Sequence, residues 1–167
     1  MQEQLPNRPT SVGTLRDPIH FIAFGFGAGL APRAPGTFGS LVGVLAAWWL
    51  FELPLPWRVA LVLAVIGFGI WICGESARRL SRHDDQRIVF DEIAGVLLTS
   101  LAVVERSLFV FALVFVFFRI FDIFKPWPIR EVDHSLRGGL GIMLDDLIAA
   151  LYAAMCVATI RIMLPTI

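Results

Sequence analysis

The chain has 167 residues, of which 57% are hydrophobic and only 17% charged, and its mean hydropathy is +0.74. Soluble domains carry about 25% charged residues, so this composition excludes an ordinary soluble globule and indicates that much of the surface meets lipid. The formal net charge is zero, and no electrostatic attraction to nucleic acid is therefore expected. The length predicts one domain, a single membrane-embedded unit at residues 19–167. Residues 1–18 lack the apolar core of a signal peptide and are expected to form a flexible cytoplasmic tail.

Five apolar stretches follow one another along the chain, and each is expected to form a short helix that spans the membrane. They are Leu41–Phe51, Val59–Gly74, Ile93–Val104, Leu108–Phe118 and Leu147–Ile160. Because each is shorter than the roughly 20 residues that a spanning helix needs, polar residues at one end must be drawn into the helices. A Gly-rich apolar piece at 19–31 precedes them and is expected to be re-entrant or interfacial. The sequence thus predicts an all-α bundle of about four to five short transmembrane helices.

The arginines indicate how this bundle is oriented. If the tight turns predicted at 52–57 and 104–107 face outward, three basic residues lie near the outer side, namely Arg58, Arg106 and Arg161. The remaining eleven of the 14 basic residues then lie inside, as the positive-inside rule requires. The sequence therefore predicts a thin outer edge and a dense polar layer on the cytoplasmic face.

Five carboxylates from three predicted helices reach one depth in this topology. Asp91 and Glu92 begin the third helix, Asp122 lies near the end of the fourth, and Asp145 and Asp146 begin the fifth. Like charges gathered in this way repel one another unless they are protonated or bridged by a cation. Oxygen ligands without a Cys or His cluster suit a hard cation, Mg²⁺ before Ca²⁺ or Mn²⁺. The five acids are therefore the candidate metal ligands and catalytic groups.

A plainer interpretation of the same residues stays open. Acids at helix starts also complement the helix dipole, and Asp122 has Arg119 one turn away as a partner for a salt bridge.

Basic and Gly-rich segments supply candidate contacts for a phosphate. "PGTFGS" (35–40), with Thr37 or Ser40 as N-cap, and "RGGLG" (137–141) precede predicted helices, whose free N–H groups suit an anion. Both segments also fit ordinary caps and turns. The candidate cations are Arg33, Arg119, Lys125 and Arg130, although snorkelling to lipid headgroups would also explain them. His83, with Asp84 beside it, is a minor candidate.

Four blocks taken together resemble the bacterial phosphatidylglycerophosphatase A family. They are "FGFGAGLAPRAPGTFGS", "HDDQRIVFDEIAG", "FRIFDIFKPWPIREVD" and "GGLGIMLDD", in the family's order, between about residues 21 and 150. The resemblance implies an all-helical, Mg²⁺-dependent phosphatase of the bacterial inner membrane that converts phosphatidylglycerol phosphate to phosphatidylglycerol. It carries the family's acidic positions onto Asp84, Asp91, Glu92, Asp122, Asp145 and Asp146. It carries the basic and polar ones onto Arg33, Thr37, Ser40, Arg119, Lys125 and Arg130.

Other functions are compatible with parts of this pattern. A cation-coupled membrane transporter could use the same carboxylate cluster, but its polar residues would lie at several depths rather than in one layer. The sequence lacks the P-S-G-H motif of phosphohistidine phosphatases and the D-G-x-x-A-R motif of CDP-alcohol transferases. A structural subunit without chemistry would not need so many carboxylates. For a phosphatase, both a metal-activated water and an aspartate nucleophile fit these residues.

Overall fold

The computed structural model describes residues 16–82, 85–127, 129 and 138–163, and all regular elements in this part of the chain are helices. They are α1 (Pro18–Ala23), a 3-10 helix (Gly25–Leu30), α2 (Pro35–Leu50), α3 (Leu55–Leu80), α4 (Phe90–Ser100), α5 (Leu108–Phe124) and α6 (Gly139–Met163). The all-α prediction is confirmed for these residues. Each of the five predicted apolar stretches overlaps one of the helices α2 to α6, with different ends.

The short helix α4 lies at the centre of the molecule. Eight of its eleven residues are buried. It contacts α2, α3, α5 and α6. These four helices surround it in a row, in which α2 contacts α5, α5 contacts α6, and α6 contacts α3. Between α3 and α2 the ring is completed by α1 and the 3-10 helix. The helix α4 is therefore surrounded by other helices along its length, while its first turn lines a cavity at one end of the bundle.

A stripe of glycines on α2 allows this helix to approach α4 closely. A Cβ atom added to Gly39 would lie 2.7 Å from the Cβ atom of Val89, and one added to Gly43 would lie 2.9 Å from that of Val96. Residues three or four apart lie on the same face of a helix, and small side chains on that face let two backbones come together. The distance between α2 and α4 is thus set by residues without side chains.

The two turns predicted to lie on one side of the membrane do lie at the same end of the bundle. Arg106, in the segment after α4, forms an ion pair with Glu52 in the turn after α2. Arg58 Nη1, near the start of α3, donates to the Val103 carbonyl at 3.5 Å, and its guanidinium lies 4.7 Å from the centre of the Phe51 ring. The starts of α2, α4 and α6 lie at the opposite end.

Two helices, α3 and α6, are long and apolar enough to cross a membrane. They have 26 and 25 residues, whereas α2 is apolar but has only 16. With 11 residues α4 is about 16 Å long, about half the thickness of a bilayer's hydrocarbon core. The two long helices indicate association with a membrane, and the expectation of four to five spans stays a prediction.

The helix α2 begins earlier than the sequence indicated. Its first residue is Pro35, and its N-cap is Ala34, in the left-handed conformation with φ 49° and with no side-chain cap. Pro suits the first position of a helix because its fixed φ is already helical and that position needs no N–H donor. The prediction that Thr37 or Ser40 caps this helix is therefore wrong. Both lie inside it, and Ser40 Oγ donates to the Gly36 carbonyl at 2.8 Å.

The helix α6 also begins before its predicted start. It starts at Gly139, which lies directly against the Ile70 carbonyl and Gly74 of α3. The close crossing of the two helices is possible because residue 139 has no Cβ. Gly139 and Gly141 therefore belong to the helix, whereas Gly138, with φ 80°, lies directly before it. The prediction that Asp145 and Asp146 open this helix is wrong. They lie in its second turn, where the dipole of the helix end has little effect.

The glycine stripe gives a prediction on stability. We expect Gly43→Ala to lower the free energy of unfolding by about 1–3 kcal/mol, because its new methyl group overpacks the contact with Val96. The matched control is Gly67→Ala in α3, since a Cβ there meets no atom within 4 Å among the described residues. Both changes gain the same helix propensity, so the difference isolates packing. Thermal unfolding in detergent checks it, and equal midpoints for the two variants would contradict the close approach.

Candidate metal and phosphate site

A cavity of about 390 Å³ opens at the end of the bundle where α2, α4 and α6 begin. All five carboxylates singled out in the sequence line it: Asp91, Glu92, Asp122, Asp145 and Asp146. Arg119 and Lys125 line it as well. The topology thus brings together residues from α4, α5 and α6 that are far apart in the sequence.

Three of the carboxylates form a compact group. Asp91, Glu92 and Asp146 each offer an oxygen atom, and these atoms lie within 4.8 Å of one another. Glu92 Oε2 and Asp146 Oδ2 are buried and accept no hydrogen bond from any described residue. Buried anionic oxygens without a partner are costly, and their mutual repulsion adds to that cost. An all-oxygen donor set of this kind fits a hard divalent cation such as Mg²⁺.

The local structure explains how these three residues meet. Because α4 begins at Phe90, Asp91 and Glu92 lie in its first turn, as predicted. Gly95 lies one turn further along α4. A Cβ atom added to it would collide with the Phe118 ring of α5 and would lie 3.2 Å from the backbone oxygen of Asp146. This contact brings the second turn of α6 beside the first turn of α4.

Both cationic side chains of the cavity come from α5, and each is paired with an acid. Lys125 Nζ lies 2.6 Å from Asp145 Oδ2. Arg119 Nη1 forms an ion pair with Asp122 and lies 3.5 Å from Ser40 Oγ. The salt bridge considered as the plainer interpretation of Asp122 is therefore present. Arg119 Nε is nevertheless buried without an acceptor among the described residues, so one donor of this guanidinium is available to an anion.

The first turn of α2 forms another wall of the cavity. A Cβ atom on Gly36 would collide with Glu92 Oε1 and would lie 3.1 Å from Arg119 Nη1. Gly36 therefore lies beside both Glu92 and Arg119. No other residue type fits at this position unless the Glu92 carboxylate moves.

The remaining candidates do not line the cavity. Arg33 is exposed and Thr37 half-buried, and neither is among the lining residues. Ser40 is fully buried and reaches the site only through Arg119. Arg130, His83 and Asp84 lie outside the described residues, as does most of the predicted tail, whereas Asp17 and Pro18 belong to the start of α1. The roles assigned to all these residues stay predictions.

The segment between α3 and α4 contributes residues that the sequence analysis missed. Asp85 is buried and accepts hydrogen bonds from the Arg87 backbone N–H at 3.1 Å and from its guanidinium at 2.8 Å to each oxygen. Hydrogen bonding to Arg87 holds the pKa of Asp85 below its ordinary value. Gln86 and Ile88, on the same segment, line the cavity. The signal in the sequence was the spacing of Asp85 and Arg87, two residues apart.

Comparison with known proteins identifies relatives over most of the chain. The profile of the phosphatidylglycerophosphatase A family matches residues 21–161. Phosphatidylglycerophosphatase A of Haemophilus influenzae is 40% identical over 157 residues, which cover 93% of this chain and 96% of that protein. The Escherichia coli protein of the same name is 39% identical over 142 residues, covering 84% and 81%.

A third relative carries a different name. A protein of Bacteroides thetaiotaomicron, provisionally named a phosphatidylinositol-3-phosphatase, is 36% identical over 152 residues, which cover 84% of this chain and 91% of that protein. No protein of known structure matches the chain. The profile and the two relatives of one name confirm the resemblance seen in the four sequence blocks. The chain belongs to the phosphatidylglycerophosphatase A family.

Proposed function

We propose that this protein hydrolyses the terminal phosphomonoester of phosphatidylglycerol phosphate in a Mg²⁺-dependent reaction, giving phosphatidylglycerol and inorganic phosphate. Membership of the family makes the chain a phosphoric monoester hydrolase. The observation that carries the rest is that one cavity holds buried carboxylate oxygens without partners beside two cationic side chains. A divalent cation and a phosphate together complement such a cavity.

The residues that would hold the cation are Asp91, Glu92 and Asp146, with Asp122 and Asp145 at the border of the same cavity. When bound, Mg²⁺ supplies Lewis-acid stabilisation of the charge on phosphoryl oxygens. The donor set supports this assignment because it contains oxygen atoms alone, and no Cys or His of the described residues lines the cavity.

Arg119 of α5 and Lys125, the residue directly after this helix, supply the part of the cavity that binds the phosphate. Phosphoryl transfer places charge on the phosphoryl oxygens, and catalysis is mainly positioning and charge neutralisation. Lys125 and Arg119 are held at the cavity by Asp145 and Asp122, so their charges are already in position before a substrate arrives. A carboxylate of the cavity can accept the proton of an attacking water.

A lipid substrate fits the location of the cavity. With α3 and α6 across the bilayer, the cavity at the end of the bundle lies at the level of lipid headgroups. The distribution of basic residues favours the cytoplasmic side of the bacterial inner membrane, in a multi-pass arrangement with α2 and α5 also in lipid. Cation-coupled transport is not favoured, because the named family members are phosphatases.

Release of inorganic phosphate from phosphatidylglycerol phosphate by the purified protein tests this proposal. We expect activity with Mg²⁺, its loss after chelation with EDTA, and its return when Mg²⁺ is restored. Ca²⁺ should restore less, because its looser coordination positions oxygens poorly. Full activity after exhaustive chelation would exclude a metal-dependent reaction. Ion uptake into proteoliposomes without phosphate release would favour a transporter.

Asp146→Asn separates catalysis from stability. The change removes one of three crowded carboxylate charges, the one on the buried residue, so the unfolding midpoint in EDTA should rise. Phosphate release should nevertheless fall by roughly two orders of magnitude, the usual size of losing one electrostatic group in an active site. Glu105→Gln, at the opposite end of the bundle, serves as the control and should change neither quantity. An Asp146→Asn protein with normal activity would exclude Asp146 as a ligand that the reaction needs.

The Arg119→Lys variant tests the proposed phosphate-binding part of the cavity. The positive charge is kept, but the planar fork that can bind Asp122 and a phosphate at once is lost. We expect kcat/KM to fall by at least about tenfold, as for one hydrogen bond to a charged group. A variant with unchanged kinetics would mean that Arg119 only pairs with Asp122.

A further inference from the structure

The geometry points to Gln86 as the residue that recognises the headgroup, by hydrogen bonding to the secondary hydroxyl of the glycerol that carries the phosphomonoester. This inference rests on the proposed function and adds to it a specificity-determining residue. It explains why a cavity built for a metal and a phosphate also has one uncharged polar side chain in its wall.

Gln86 lies on a turn that is fixed from several directions. The Ile88 N–H donates to the Asp85 carbonyl at 2.8 Å, which closes the turn around Gln86. The Asp85 carboxylate binds both the backbone and the side chain of Arg87. Because these contacts hold the backbone on both sides, residue 86 has little freedom to move away from the cavity.

The neighbouring elements hold the same turn from outside. The Val89 N–H donates to the Ala23 carbonyl at 2.9 Å. Gly29 of the 3-10 helix lies directly against the Arg87 carbonyl, where any side chain would collide. The Arg87 guanidinium also lies 5.2 Å from the centre of the Phe24 ring. The function of α1 and the 3-10 helix in this region is thus to brace the turn that carries Gln86.

The side chain of Gln86 is exposed, lines the cavity and makes no hydrogen bond with another described residue. It is the one uncharged polar side chain among the described residues of the cavity wall. An amide offers both a donor and an acceptor, as a hydroxyl does, whereas the acids and cations around it match charged partners. With the phosphomonoester at Arg119 and Lys125, the next polar group of the substrate is the glycerol hydroxyl.

A comparison of two substrates tests the inference. One is phosphatidylglycerol phosphate, and the other is its deoxy analogue, in which propane-1,3-diol replaces the glycerol that bears the phosphomonoester. The wild-type protein should prefer the hydroxyl-bearing substrate by about three- to tenfold in kcat/KM, the value of one neutral hydrogen bond. Gln86→Ala and Gln86→Met should lose this preference and hydrolyse both substrates at the rate of the wild-type protein on the deoxy analogue.

Arg78→Ala is the control, because Arg78 is exposed near the end of α3, pairs with Glu75 and does not line this cavity. It should keep the wild-type preference. Gln86 variants that keep the preference, or that lose activity equally on both substrates, would overturn the inference, as would a wild-type protein without any preference. Failure of the proposed function looks different, since the wild-type protein would then release phosphate from neither substrate.

Discussion

Repulsion among Asp91, Glu92 and Asp146 is the interaction that the rest of the structure has to offset. Their oxygens lie within 4.8 Å of one another, in the first turn of α4 and inside α6, in the wall of one cavity. Asp146 is buried and Asp91 and Glu92 are half-buried, so water screens their charges less than it would on an open surface. The fold therefore holds these carboxylates where only a cation or protons can neutralise them, which is the arrangement expected of a site built for function rather than for stability.

The surrounding helices make this arrangement possible through close contacts at positions without side chains. Gly36, Gly39 and Gly43 let α2 approach α4, and Gly139 lets α6 cross α3. The close packing of α4 against its ring of helices offsets the cost of the crowded charges, because van der Waals contact stabilises helix association in a membrane. At the cavity, Glu92 lies against Gly36, where a side chain at residue 36 would collide with it. The glycines of α2 therefore determine both the helix packing and the geometry of the site.

Much of this arrangement is predictable from the sequence, because apolar stretches and the positive-inside rule fix which helix ends share a side. The meeting of five distant carboxylates follows from that topology alone. The starts of α2 at Pro35 and of α6 at Gly139 are not predictable in this way. They depend on contacts between helices, which outweigh the weak preference of Ser, Thr and Asp for the N-cap position. Gln86 was missed for a similar reason: the spacing of Asp85 and Arg87 indicates a local contact, but the position of the turn at the cavity depends on packing against the 3-10 helix.

The central claim is that Asp91, Glu92 and Asp146 form a binding site for a divalent cation, and thermal unfolding of the purified protein with increasing Mg²⁺ measures this most directly. A ligand that binds only the folded state raises the unfolding midpoint with its concentration. The account predicts such a rise for the wild-type protein, and none for Glu92→Gln, which should start from a higher midpoint in EDTA because one of the repelling charges is gone. Equal responses of the two proteins to Mg²⁺, or a wild-type midpoint that Mg²⁺ leaves unchanged, would contradict it.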